Sequence, residues 1–171
     1  MVIAPYLDTL LLLLVVAAAI NDLSNRRIPN LLLLGGLAGA LVLHAVSPAP
    51  GAALLASLGG LLTGLLVFIP FYLLRGMAAG DVKMMATVGA FTGPALALDI
   101  AVVAWCAGGV MALAIIVCRG RVRQTLANLR NILRPALLRL PAAPMTPQAS
   151  AGSMPYGLAI AASTIYVLMR Q

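Results

Sequence analysis

Long uncharged apolar runs dominate this chain. From Ile28 to Leu74 there is no Lys, Arg, Asp or Glu, and a turn signal of Ser, Pro and Gly at 47–51 divides this run into two apolar segments. An apolar helix of about 20 residues is long enough to cross the hydrocarbon core of a bilayer. Charged residues make up only 9% of the chain, whereas soluble domains average about 25%. A disordered protein, a secreted disulfide scaffold and an ordinary cytosolic enzyme are therefore excluded.

The apolar runs predict an all-α polytopic membrane protein with about six transmembrane helices in a single domain, residues 1–171. The first run has no basic segment before it and no small-residue cleavage site after it, so we expect a retained membrane helix and not a removed signal peptide. Gly93-Pro94 is a turn signal within the last long run, and it predicts a break between the fourth and fifth helices. The predicted helices span residues 2–22, 30–46, 52–74, 81–97, 98–118 and 154–169.

Two pairs of glycines have a spacing of four residues, Gly35 with Gly39 and Gly60 with Gly64. Small residues at this spacing let the backbones of membrane helices approach closely. Glycine is also simply frequent in membrane helices. Close helix crossings at both pairs are therefore one of two open interpretations.

The segment between the fifth and sixth predicted helices, residues 119–152, is the only long polar part of the chain, and it is basic and free of acids. In its first half, apolar residues follow one helical stripe with arginines along the flank, a pattern typical of an amphipathic helix on an anionic membrane surface. A solvated basic loop is the alternative. The stripe consists of Val122, Leu126, Leu129, Leu133 and Leu140.

The net charge of +7 comes from eleven Lys and Arg against four acids. Aromatic residues do not alternate with the basic ones, so we expect a lipid bilayer as the partner and no nucleic acid. Most basic residues fall in the loops after the first, third and fifth helices. The positive-inside rule places these loops in the cytoplasm, which predicts a bacterial inner-membrane protein with both termini in the periplasm.

All four acids are aspartates. The predicted topology brings Asp22 and Asp81 to the cytoplasmic ends of the first and fourth helices, and Asp8 and Asp99 to the opposite side. Placing an acid at the edge of a membrane domain costs free energy, so such a residue is a candidate functional residue. If Asp22 and Asp81 meet, they would share a proton. They could then hold a water between them. The ionised acid would act as general base on this water, and the protonated acid would polarise the carbonyl of a peptide bond. This chemistry needs no cofactor, and the two Cys and one His form no metal-binding pattern.

Three blocks of residues carry a resemblance that covers nearly the whole chain. They are Asp22 with Arg26-Arg27-Ile28-Pro29-Asn30, then Gly80-Asp81-Val82-Lys83, and late in the chain Pro155-Tyr156-Gly157. In this order the blocks resemble the type IV prepilin peptidases, membrane aspartic proteases of the GxGD class. The chain is most similar to their short single-domain members from tight-adherence (Flp) pilus systems.

The resemblance implies that Asp22 and Asp81 are the catalytic pair. It also implies supporting roles for residues of the three blocks, although Lys83 could be only a membrane anchor and Tyr156 only an interfacial aromatic. The supporting residues are Arg27, Pro29, Asn30, Gly80, Lys83, Pro155, Tyr156 and Gly157.

The chain departs from the family pattern at two points. The first Gly of the Gly-x-Gly-Asp block is Ala78 here, and alanine fits only if this position does not need a positive φ. Longer family members carry a zinc-binding double CxxC between the first two helices and methylate the new N-terminus of the cleaved pilin. Because this chain has no CxxC, we expect no methylation.

The resemblance implies a peptidase that removes the leader of Flp-type prepilins and pseudopilins at the cytoplasmic face. Two alternatives stay open at this point. One is an intramembrane protease of the presenilin or signal-peptide-peptidase type. The other is a transporter or pilus-assembly subunit in which the aspartates carry protons or form interhelical hydrogen bonds.

Overall fold

The computed structural model describes residues 4–74, 76–120, 122–123 and 155–171. Within this part of the chain the regular elements are all helices, which confirms the all-α prediction. Most of the predicted basic segment 119–152 lies outside the described residues. The helices are α1 (Ala4–Asn25), α2 (Asn30–Ala45), α3 (Pro50–Leu73), α4 (Ala79–Cys118) and α5 (Tyr156–Leu168).

Three segments among the described helices are long and apolar enough to cross a membrane: Pro5–Asn25, Pro50–Leu73 and Ala79–Cys118. The other two helices, α2 and α5, are apolar but shorter. Large apolar side chains are exposed along these helices, as expected for surfaces that face lipid. The chain thus has the helices of a membrane protein.

The helix ends differ from the predicted ones by up to a few residues. α1 continues to Asn25, so that Asp22 lies in its last turn. α3 begins at Pro50, because a proline at the first helical position loses no hydrogen bond. α4 is interrupted at Gly93, which has φ 79° and ψ 174°, and not at residues 97–98. The interruption falls at the Gly-Pro pair that the sequence marked as a turn signal.

The structure separates into two compact units, residues 1–107 with 155–171 and residues 108–154. In the first unit α1 packs against α2 and α5, and α2 packs against α3. Its core contains fully buried apolar side chains from several helices, including Val15, Phe68, Met85 and Ile160. In the second unit the described residues are the end of α4 and the turn after it, where Gly120 has a positive φ of 64°.

Glycines bring the backbones of α3 and α4 into direct contact. A Cβ added to Gly60 would meet the carbonyl oxygen of Gly89, and one added to Gly64 would meet that of Met85. The predicted close crossing at Gly60 and Gly64 is therefore confirmed. The pair in α2 behaves differently. Gly35 has nothing within 4 Å of its added Cβ, and an added Cβ on Gly39 would meet the side chain of Leu10 and no backbone.

A side chain from α2 compensates for the proline in α4. Pro94 has no N–H, so the carbonyl of Ala90, four residues earlier, loses its usual helical donor. The ring of His44 is buried, and its Nε2–H donates to that oxygen over 3.1 Å. Neighbouring helices commonly satisfy such freed carbonyls in membrane proteins. His44 is thus a helix-to-helix link remote from Asp22 in the chain.

Candidate active site

The structure brings Asp22 and Asp81 together. Asp22 lies in the last turn of α1, and Asp81 lies in the first turn of α4. Both residues are buried, at 7% and 5% exposed, and their carboxylates are close enough for their charges to interact unfavourably. Two buried acids whose charges repel each other are costly to maintain in an apolar protein. This pair is therefore the candidate centre of the site.

The carboxylate of Asp22 is held by the first turn of α5. The backbone N–H of Gly157 donates to its Oδ2 over 2.9 Å. Gly157 lies so near that an added Cβ would be 2.9 Å from Oδ2 and 3.2 Å from both Cβ and Cγ of Asp22. The structure thus places Gly157, from the late Pro-Tyr-Gly block, directly against the first aspartate.

Asp22 also interacts with the charge of Arg26. Arg26 follows the end of α1 with a φ of 52°, and its N–H donates to the carbonyl of Asp22 over 2.9 Å. A left-handed residue often ends a helix, but this position usually belongs to Gly or Asn. Arg27 was the arginine predicted to support the site, whereas the charge that acts on Asp22 in the structure is that of Arg26. Its place shortly after the predicted end of the first helix, close in the chain to Asp22, was the available signal.

The carboxylate of Asp81 is held by the chain just before α4. The backbone N–H of Ala78 donates to Oδ2 of Asp81 over 3.3 Å. Ala78 is exposed, and it is not among the described residues with a positive φ. Alanine therefore fits at this departure from the family pattern, because the contact uses the backbone and not the side chain.

Two motif residues join the starts of α2 and α4. The Nζ of Lys83 donates to Oδ1 of Asn30 over 3.0 Å at an exposed position. Beneath this contact, an added Cβ on Gly80 would be 3.5 Å from the side chain of Ile28, which is ordinary van der Waals distance. The structure thus places Lys83 against Asn30. The hydrogen bond thus links the start of α2 to the beginning of α4, which carries Asp81.

Two prolines precede the helices that begin near the site. Pro29 comes directly before α2 with φ −63°, and Pro155 comes directly before α5 with φ −74°. Both angles are those that the proline ring imposes. Each proline carbonyl accepts a backbone hydrogen bond from the first turn that follows, at Leu33 and Leu158. The two prolines thus fix where these helices start, while Arg27 is exposed in the turn before Pro29.

Tyr156 connects α5 to α3 and α4. Its O–H donates to the carbonyl of Ala104 over 3.1 Å, and its ring meets that of Phe68 edge to face with centroids 6.1 Å apart. Phe68 in turn stacks with Trp105 at 6.2 Å. The charge of Asp81 reaches the hydroxyl of Tyr156. Sequence reasoning missed Phe68 and Trp105, since nothing distinguishes them from other apolar residues of a membrane helix.

A comparison with family models identifies the chain. The model of the type IV leader peptidase family matches residues 9–113. This range contains both Asp22 and Asp81, while Gly157 lies beyond it. No curated protein and no solved structure gives a match. The family match covers more than half of the chain, and the chain therefore belongs to the type IV leader peptidase family.

Proposed function

We propose that this chain is a membrane-embedded aspartic endopeptidase with Asp22 and Asp81 as its catalytic residues. Its substrates are Flp-type prepilins and pseudopilins, from which it removes the leader peptide at the cytoplasmic face without methylating the product. Membership in the leader peptidase family supports a peptidase. The observation that carries the aspartic mechanism is the burial of two carboxylates whose charges repel each other, each held by a backbone N–H.

The proposed reaction uses one proton shared by the two acids. The ionised carboxylate takes a proton from a water, and the resulting hydroxide attacks the carbonyl carbon of the scissile peptide bond. The protonated carboxyl gives its proton to the carbonyl oxygen. As the C–N bond breaks, the first carboxyl gives its proton to the leaving nitrogen. A hydroxyl of the gem-diol returns its proton to the second carboxylate, which leaves a carboxylic acid as product and restores the shared proton. Because the Oδ2 atoms face Gly157 and Ala78, we assign the water to the Oδ1 atoms.

The proposed topology has six spans, with α4 contributing two that meet at Gly93. Basic residues support a cytoplasmic position for the site, since Arg26 and Lys83 lie at the same helix ends as the two aspartates. The positive-inside rule then places both termini in the periplasm of a bacterial inner membrane. A prepilin would bring its apolar helix in from the lipid, with its leader bond at the level of the two aspartates.

Co-expression of the full chain with an Flp-type prepilin tests the proposal. The wild-type chain should shift the prepilin to a faster gel mobility, and mass spectrometry should show a mature N-terminus without a methyl group. Asp22→Asn and Asp81→Asn should each reduce processing by about a hundredfold or more, because the base or the shared proton is lost. Asn keeps the shape and a hydrogen-bond acceptor for Gly157 or Ala78, so these variants should insert normally.

The other two aspartates provide matched controls. Asp8 and Asp99 are both exposed, and Asp8→Asn and Asp99→Asn should process the prepilin at the wild-type rate. Processing by an inserted and folded Asp22→Asn or Asp81→Asn variant would refute the catalytic assignment. For the topology, a cysteine at the exposed Ser24, in a chain with Cys106 and Cys118 replaced by Ser, should be labelled from the cytoplasm. Labelling from the periplasm would overturn the orientation.

A further inference from the structure

We infer that the first turn of α5 positions the carboxylate of Asp22 for the reaction. The N–H of Gly157 is the positioning group, and the contacts of Tyr156 hold this turn in place. This inference rests on the proposed function and extends it to a segment beyond the family match. Gly157 does not touch substrate in this role. It acts through Asp22, by fixing which way the carboxylate points.

The N–H of Gly157 needs an acceptor. It is one of the first four N–H groups of α5, which have no partner within their own helix. Gly157 is buried, and a buried N–H without a hydrogen-bond partner is costly. The Oδ2 of Asp22 accepts this hydrogen bond at 2.9 Å. A charged acceptor at a helix N-terminus is also favoured by the helix dipole. The bond therefore gives one orientation of the Asp22 side chain a clear advantage over the others.

The position of this N–H is itself fixed by contacts away from the aspartates. Tyr156 is anchored by its hydrogen bond to Ala104 in α4 and by its ring contact with Phe68 in α3. Behind it, a face of small and polar side chains of α5 is buried in the first unit, where α5 packs against α1. Ser163 and Thr164 on this face donate to carbonyls of their own helix. α5 thus presents Gly157 from a rigid support.

Only glycine allows this approach. A Cβ at residue 157 would be 2.9 Å from Oδ2 of Asp22, which is closer than real Cβ contacts come. The nearest atom is the end of a side chain that can rotate, and Cβ and Cγ of Asp22 lie at 3.2 Å, where a neighbour must give by only a few tenths of an ångström. α5 is held by its packing against α1 and by the contacts of Tyr156. The carboxylate should therefore move before the helix does. Gly157→Ala is expected to leave the fold intact and to displace Asp22.

The test measures cleavage of a synthetic prepilin by the purified full chain in detergent, over a range of substrate concentrations. Gly157→Ala should lower kcat by about tenfold to a hundredfold, because misplacing a catalytic group by about 1 Å costs up to this much. KM should stay within about twofold, since Gly157 makes no substrate contact in this reading. The midpoint of thermal unfolding should fall by no more than a few degrees.

Gly35→Ala is the matched control, because the same methyl group meets nothing within 4 Å there. It should leave kcat and KM unchanged. Tyr156→Phe is a second variant, which keeps the ring on Phe68 and removes the hydrogen bond to Ala104. It should lower kcat several-fold with KM unchanged, so the inference stays testable if Gly157→Ala does not fold.

The results separate the inference from the function on which it rests. If the wild-type chain does not cleave the prepilin, the proposed function fails and the inference fails with it. If the wild-type chain cleaves and Asp22→Asn does not, an undiminished kcat in folded Gly157→Ala overturns the inference alone. An effect confined to KM, or a loss of kcat that only follows the loss of folded protein, also overturns it.

Discussion

The crossing of α3 and α4 predicts that one added methyl group will strongly destabilise the protein. In Gly60→Ala the new Cβ meets the carbonyl oxygen of Gly89 and lies 2.8 Å from the carbonyl carbons of Gly89 and Gly93. All three atoms belong to the backbone, so no side-chain rotation relieves the contact. The two helices have to move apart.

The size of the effect follows from these distances. Ordinary contact for a Cβ begins at 3.4 Å, so relieving the 2.8 Å contacts needs roughly 0.6 Å of separation, and the oxygen requires more. Overpacking lowers the free energy of unfolding by about 1–3 kcal/mol. We expect a value of about 3 kcal/mol, because the contact is between the backbones of α3 and α4. Since about 1 kcal/mol lowers Tm by about 2–4 °C in a chain of this size, Gly60→Ala should lower Tm by about 6–12 °C.

Thermal unfolding of the purified full chain in detergent provides the assay, read as the fraction that stays monodisperse after heating. Gly35→Ala is again the control, because its methyl group projects into open space. This variant should match or slightly exceed the wild-type Tm, since alanine favours a helix by up to about 1 kcal/mol over glycine. Equal Tm values for Gly60→Ala and Gly35→Ala would refute the reasoning from backbone contact.

Two further predictions concern hydrogen bonds to the backbone. His44→Ala leaves the carbonyl of Ala90 without its donor and should lower the free energy of unfolding by about 1–2 kcal/mol in the same assay. His44→Gln keeps a donor and should lower it less. Equal losses of stability in the two variants would contradict the role of this hydrogen bond. Ala78→Gly restores the glycine of the family pattern but should leave kcat/KM for prepilin cleavage within about twofold, because residue 78 holds Asp81 through its N–H. A gain of tenfold in the cleavage assay would show instead that the alanine methyl group limits activity.

The all-α fold and the long apolar helices could be predicted from the sequence because their signal is local. Long uncharged runs define the membrane helices, and Gly93-Pro94 marks the interruption of α4 by its own backbone chemistry. The places where two helices cross are different, since a crossing depends on the residues of the facing helix. The glycine pairs in α2 and α3 have the same spacing, yet Gly60 meets the backbone of Gly89 while Gly35 faces open space. No pattern within one helix distinguishes these two cases.

The candidate site likewise combines residues that could be predicted from the sequence with contacts that could not. Asp22 and Asp81 stood out because acids are rare in this chain, and the structure brings them together. The groups that hold them are the N–H groups of Gly157 and Ala78. Every residue except proline has such a group, so residue type carries no signal for it. Only the path of the chain from α1 to α5 decides which N–H meets which carboxylate.

The interruption at Gly93 has a mechanical consequence for Asp81. Residues 79–92 form a rod of their own, fixed to α3 where the backbones touch at Gly60 and Gly64. The next residue is a glycine outside the helical region, and the following proline leaves a gap in the ladder of helical hydrogen bonds. The segment that carries Asp81 is therefore aligned by its backbone contacts with α3, and its ladder of helical hydrogen bonds does not continue into the residues after Pro94.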